Sequence, residues 1–464
     1  MHAHRILARL TTLALLAYVA AAYALPITLR DSNGTRYNVN TDVSPDAPTS
    51  LASGALTDAT FQKPVTVTSY FLGYTFFGFT TVYTEQRHVS IPLRNAFAGF
   101  NGLSITAIDG RTLPGPLVFN PGEELATEEC PQGGNNRQLV FQTQSFPLAN
   151  LTLTRKVLVP NDGKFLRWLN VITNTGQTPT TPAIALRGLL GSGTDTRVTS
   201  TSTGDYGLSS AVEWFTTAQQ VPPNAFSTQP KLGFVVQGAG APVVPQVEIG
   251  EAGQTVFTYS PTIQPGESAV VLTFLTVQGS TKQAKKTVKN VVALPAHAVF
   301  CMSQDELRDV VNFPAVTAPR TKKATITLNF TKAAADTINW SGSITIGAGL
   351  SLQGLPFTID IGGVTQTFTL NTKGKADEGG GNTFNLQAAL KNGVTKAGPV
   401  QFSLQLKGDF KDTLAAYGLT DTTAQSLPVT VPASFTGRGP DVYATEQAFT
   451  YKATEGKTGT AKSS

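Results

Sequence analysis

The sequence predicts an all-β fold, two β-sandwich domains with a few short helices. Three observations predict it. Short alternating apolar and polar runs, broken by Gly, Pro, Asn and Asp, recur from Leu25 to about residue 315 and again from Lys322. Thr, Val and Phe dominate those runs, and such side chains suit a pleated, half-buried surface. Long stretches of helical period are absent, which argues against alternating β-α-β units.

The 464 residues suit two or three domains. Hydrophobic residues make up 41% and include 26 Phe, ample for a core. Charged residues make up only 14%, against about 25% in an average globular protein. Thr, Ser, Asn, Gln and Gly replace them, as on an extracellular β protein.

Residues 1–24 read as a signal peptide. Arg5 and Arg9 supply a positive start, residues 11–23 an apolar stretch, and Ala22-Tyr23-Ala24 a cleavage site before Leu25. The alternative is an uncleaved membrane anchor. The expected location is secreted or periplasmic, with no membrane insertion after cleavage, because no later run reaches about 18 apolar residues. Without Arg5 and Arg9 the chain keeps 33 basic against 30 acidic residues. They are spread along the sequence, so no nucleic-acid partner is expected. Lys282, Lys285, Lys286 and Lys289 read as the solvated side of a short helix, with an anion site as the alternative.

The domain expectation is a large β-sandwich over 25–315, a linker over 316–321 and a C-terminal β-sandwich over 322–464. In the first, 151–159 and 268–277 read as strands. Residues 281–294 place Ala284, Val288, Val291 and Val292 at helical spacing, ended by Pro295. Ser303 and Glu306 form a capping box ahead of the apolar stripe Leu307, Val310 and Val311. In the second, strands are expected near 322–330, 341–346, 357–361, 365–370, 383–390 and 400–406. Gly362-Gly363 joins two of these, and Asn392-Gly393 signals a tight hairpin. Residues 412–417 suit one or two helical turns stopped by Gly418. Gly379-Gly380-Gly381 suggests a flexible loop, and the polar end, 453–464, is expected to fray.

The chemistry is marked by what is missing. Outside the leader there are two histidines, His88 and His297, each read as structural. A Ser-His-Asp triad needs one beside a serine nucleophile, and no G-x-S-x-G elbow exists. No H-E-x-x-H, C-x-x-C or P-loop pattern occurs. No catalytic residue or metal ligand is therefore assigned. Glu123, Glu124, Glu128 and Glu129 form the densest acidic cluster, read as a solvated loop with a calcium site or a carboxylate pair as alternatives. Asp195 and Asp205 flank a Thr/Ser-rich loop, a candidate ligand-facing edge or a plain surface loop.

Aromatic residues crowd 70–83, with Tyr70, Tyr74, Phe77 and Tyr83 as candidate ligand-binding residues. Sugars stack on exposed rings, so a glycan platform is one reading. A strand pair covered on both faces is the other. Trp168, Trp214 and Trp340 read as core. N-x-[ST] sites occur at Asn33, Asn150, Asn329 and Asn339. Cys130 and Cys301 are the only cysteines. In an oxidising compartment they predict a disulfide, worth roughly 5 kcal/mol in the chain-entropy model. The alternative is two separate buried thiols.

Two stretches, 153–163 (LTRKVLVPNDG) and 165–176 (FLRWLNVITNTG), resemble strands of the galactose-mutarotase-like supersandwich. The loop 199–205 resembles one in secreted bacterial proteins of unknown role. Residues 322–462, chiefly 368–375 (FTLNTKGK), resemble a β domain of uncharacterised exported bacterial proteins. The resemblance implies a supersandwich for the first domain. The catalytic histidines of mutarotases have no counterpart here, so that activity is not carried over, and fold alone does not give function. The expectation is a secreted non-catalytic protein that binds a glycan or cell-surface partner or serves as a structural module. The alternative is a carbohydrate-active enzyme using a carboxylate pair.

Overall fold

The computed structural model describes residues 26–463, except 42–48, 77–78, 122–124, 133–134, 162, 224, 315 and 438–441. The expected leader lies outside the described residues. The chain is all-β, with antiparallel sheets and a few short helices.

Two sheets face each other in the N-terminal part. One has nine strands, with Leu166–Asn174 and Ser268–Gln278 side by side at its middle. The other has five, centred on Pro182–Leu189 and Gly102–Ile108. Rings fill the space between them. Phe100 lies 5.8 Å from Trp168 and 5.3 Å from Phe234, centroid to centroid. Trp168 donates its indole N–H to the Gly54 carbonyl at 2.8 Å, which satisfies the one polar atom the ring buries.

Ser268–Gln278 is a nearly continuous apolar run, buried on both faces. Its second face is covered by α1 (Thr281–Val291), α2 (Ala296–Val299) and α3 (Gln304–Arg308). Ala284, Val288 and Val291 turn α1 inward as their spacing requires. Gly233 makes this approach possible: a Cβ there would stand 2.6 Å from Val288 Cγ1. Leu294, at φ +49, ends the segment before Pro295, so α1 stops short of the expected 294. The Ser303–Glu306 capping box forms as read from the sequence.

The C-terminal part is one eleven-stranded sheet that curls round so that its two layers are continuous. Its end strands, Val364–Thr369 and Lys375–Asp377, are brought together by the turn between them and by Thr369 N–H donating to Glu378 at 2.9 Å. Phe357, Phe384, Phe402, Phe435 and Trp340 line its interior. Val316–Thr317, in the expected linker, pairs in parallel with Val442–Tyr443. Gly362-Gly363 and Asn392-Gly393 make the expected turns at positive φ. α4 (Lys411–Leu414) continues into a 3₁₀ turn that Gly418 stops at φ +83.

The expected fraying end is a correction. Thr458–Ser463 is an interior strand, paired with Arg320–Asn329 on one side and Val442–Thr454 on the other. Gly459 and Ala461 point inward, and a Cβ on Gly459 would meet the Tyr451 hydroxyl at 2.1 Å. The inward residues are small because a tyrosine already fills that space, so the segment looks polar in sequence.

A separate four-stranded sheet, Ile27–Arg30, Arg36–Val39, Leu56–Phe76 and Phe79–Leu93, starts the chain. Beyond Phe61 its last two strands continue as a ribbon. Residues 63–68 and 86–91 are exposed on both faces apart from half-buried Val65, so the ribbon projects from the body.

Candidate functional site

The first sheet carries a polar recess. Leu29, Tyr37, Val39, Ala59 and Phe61 alternate inward into the core. The strand period of two therefore turns Thr28 and Arg30, Arg36 and Asn38, and Asp58, Thr60 and Gln62 outward. Together with Arg94 and Asn95 they line a polar cavity of about 500 Å³. A smaller recess of about 300 Å³ lies in the C-terminal sheet beside Lys375, Asp377 and Asn385.

The geometry of the larger cavity is set by one turn. Buried Asp31 accepts backbone N–H groups of Asn33 at 2.9 Å and Thr35 at 3.0 Å, and the Tyr37 hydroxyl at 3.1 Å. Burial raises the Asp31 carboxyl above its usual range, with those hydrogen bonds opposing the rise. Gly34, at φ +74, completes the turn. Ser32 Oγ donates to the Gly163 carbonyl at 2.8 Å and ties the turn to the body. The result fixes the register: Arg30 stands directly opposite Arg36, and Thr28 opposite Asn38. Buried Arg137 donates to the Arg30 carbonyl and holds the strand end from behind.

Asp58 pairs with Asn38 across the next strand and accepts the Ala96 N–H at 2.9 Å. That bond clamps the segment carrying Arg94 and Asn95 to the cavity wall. The Arg94 N–H donates to the Thr228 carbonyl at 3.0 Å. Two residues away, Phe226 is 95% exposed, an aromatic ring with no core to join. Three guanidinium groups thus meet a single carboxylate in this recess.

The residues expected from sequence are scattered. Tyr70 and Tyr74 lie on Leu56–Phe76 and Tyr83 on Phe79–Leu93, the two strands of the ribbon. Tyr70 pairs with Thr84 and Tyr83 with Phe71, so those tyrosines belong to consecutive cross-strand pairs. Phe77 lies outside the described residues. Asp195 and Asp205 sit at opposite ends of the edge strand Thr196–Thr201, about 20 Å long at ~3.3 Å per residue. The Asp205 side chain closes its own loop, accepting Thr203 Oγ1 at 2.7 Å.

His88 is exposed on the ribbon with its Nδ1 3.1 Å from Thr66 Oγ1, and the His297 ring lies tilted against Phe165 at 5.2 Å between centroids. Glu123 and Glu124 fall outside the described residues. Among the described residues no group of three or more His, Cys, Asp or Glu is placed to hold a metal. Cys130 and Cys301 form a disulfide. No described helix is long and apolar enough to cross a membrane.

No protein family and no curated protein match this chain. Among solved structures it is similar to others at low scores. One is a galactose mutarotase-like protein from Lactobacillus casei, with TM-score 0.31 and 11% identity over 55% of this chain and all of that one. Another is assigned as an aldose 1-epimerase from Klebsiella pneumoniae, with TM-score 0.24 and 10% identity over 50% of this chain and 91% of that one. A third is a polysaccharide lyase, with TM-score 0.28 and 11% identity over 75% of this chain. The chain spans 39% of that lyase's length. Likenesses at these scores do not bear on the chemistry of the recess.

The arginines were missed in sequence because Arg30, Arg36 and Arg94 belong to an evenly spread charge balance. A local signal was present. Thr28-Leu-Arg30 and Arg36-Tyr-Asn38 flank Asp31-Ser-Asn-Gly-Thr35, a hairpin in which alternation must turn both arginines to one face.

Proposed function

We propose that this chain is an exported, non-catalytic β protein that binds a glycan at the recess of its first sheet. The observation that carries the reading is the recess itself. It is open, polar on every wall, and built from hydroxyl, amide and guanidinium groups that can hydrogen-bond sugar hydroxyls. Strand Leu56–Phe76 runs from the recess into the ribbon that bears Tyr70 and Tyr74. The disulfide supports an oxidising compartment, as the leader does. A glycosidase would need two carboxyl groups about 5–9.5 Å apart. Asp58 is the only carboxylate among the residues lining the recess.

The test exposes the chain without residues 1–24 to a panel of soluble and insoluble polysaccharides, scoring retention and released reducing ends together. Retention without release is the expected result. Release would replace binding with catalysis, and no retention would remove glycans from the account.

A further inference from the structure

We infer that the recess of the first sheet recognises an anionic substituent, a carboxylate or a sulfate, with Arg30 and Arg36 as a facing pair and Arg94 as a third donor. The inference deepens the binding role proposed for the same recess and rests on it for the word glycan only.

Arg30 and Arg36 are direct cross-strand partners. Side chains so placed have Cβ atoms about 4.5–5.5 Å apart, and like charges there destabilise the pair. The cost is built in, because buried Asp31 and the Ser32–Gly163 bond lock the register that creates it. Neither Arg30, Arg36 nor Arg94 makes an ion pair among the described residues. Asp58 does not neutralise them by contact. It is committed to the Ala96 amide, and so positions Arg94 instead. An anion placed between the arginines converts a repulsive pair into a clamp. The planar fork of each guanidinium matches the two oxygens of a carboxylate or sulfate. Thr28 Oγ1 donates to Asn38 Oδ1 at 2.8 Å, which leaves the Asn38 amide N–H groups and the Gln62 side chain for the hydroxyl groups around it.

The test titrates the chain without residues 1–24 with oligogalacturonate, dextran sulfate, neutral dextran and inorganic sulfate. It is repeated with Arg30→Ala/Arg36→Ala, and with Arg197→Ala as an exposed-arginine control on another sheet. We expect binding of an acidic oligosaccharide that falls at least tenfold in the double variant, falls with added salt, and is unchanged in Arg197→Ala. The uronate and sulfate arms separate the two sources of the anion. Neutral dextran bound equally by wild type and double variant overturns the anion inference and leaves the glycan reading standing. Inorganic sulfate bound through Arg30 and Arg36, with no oligosaccharide bound, upholds the anion site and overturns the glycan reading. Equal loss in Arg197→Ala, or no binding at all, overturns the inference.

Discussion

Arg155 is a guanidinium that the fold holds in its core at a cost. It is fully buried between the two N-terminal sheets, among Leu153, Val157 and Trp168. Its Nη2 donates to the Asn101 carbonyl at 2.5 Å and its guanidinium stands 5.9 Å from the Trp168 ring centre. Nε and Nη1 have no partner. Burial pulls its pKa down to about 9. A base depressed in the folded state weakens folding fully below that value, and the unfolded chain binds more protons between there and its own value. Stability from this group therefore rises with pH above about 9. Arg155→Met keeps the unbranched stem as far as Nε and removes the charge, and replacing buried charge by apolar side chains is often neutral or stabilising. The variant should equal or exceed wild type in urea unfolding near pH 7, with its advantage shrinking near pH 10. A loss of stability at both pH values would show that the Asn101 bonds outweigh the buried charge. The sequence does mark the position, because Leu151, Leu153 and Val157 alternate with it and strand period two puts Arg155 on their face. Its neighbours Thr154 and Lys156 are half-buried on the opposite face, and its partner across the sheet is buried Asn170.

At the scale of elements, strands and turns were legible wherever a short signal fixed them. Gly362-Gly363, Asn392-Gly393 and Ser303–Glu306 each need one backbone conformation, and their residues supply it. The helix over Thr281–Val291 was legible because Ala284, Val288 and Val291 recur at its period. The last strand was not, because its inward positions include Gly459 and Ala461 and its outward ones are Thr458, Thr460 and Lys462. A strand that fills a narrow slot looks like a tail. It separates Arg320–Asn329 from Val442–Thr454 and bonds to both, so its loss would open two edges in the middle of the sheet. Deleting 458–464 should give an insoluble product, or a soluble one with a much lower melting temperature, since long unpaired edges promote association. A deletion that melts like the full chain in calorimetry would mean that Arg320–Asn329 and Val442–Thr454 can close directly. The candidate site was legible only in part, for a related reason. Its residues come from three strands and the segment that follows a fourth, and Arg30 and Arg36 meet through register, which a linear reading sees only locally.

Across the whole molecule, one polar seam joins the N-terminal sheets, the helices and the C-terminal sheet. The Cys130–Cys301 disulfide crosses it, closing a separation of 171 residues. Arg167 donates to the Ala298 carbonyl at 3.0 Å, the Phe300 carbonyl at 2.6 Å and Gln138 Oε1 at 3.0 Å. Lys156 pairs with Glu306 at 2.9 Å. Glu446, from the C-terminal sheet, accepts the Cys301 N–H. Burial raises the Glu446 carboxyl above its usual range, and Glu306 adds to the rise while the Cys301 N–H and Arg167 oppose it. An acid raised in the folded state gives stability that is full below its unfolded value and lost as pH climbs through the folded one. Between the ordinary carboxylate range and neutrality, Glu446 thus weakens the seam as it ionises. Glu446→Gln keeps an oxygen for the Cys301 N–H and cannot ionise. Its unfolding free energy should match wild type near pH 4 and exceed it near pH 7, giving a flatter pH profile between them. Profiles that run parallel, or a variant weaker at pH 7, would mean that Glu446 serves Arg167 as a counter-charge and that the seam depends on that pairing.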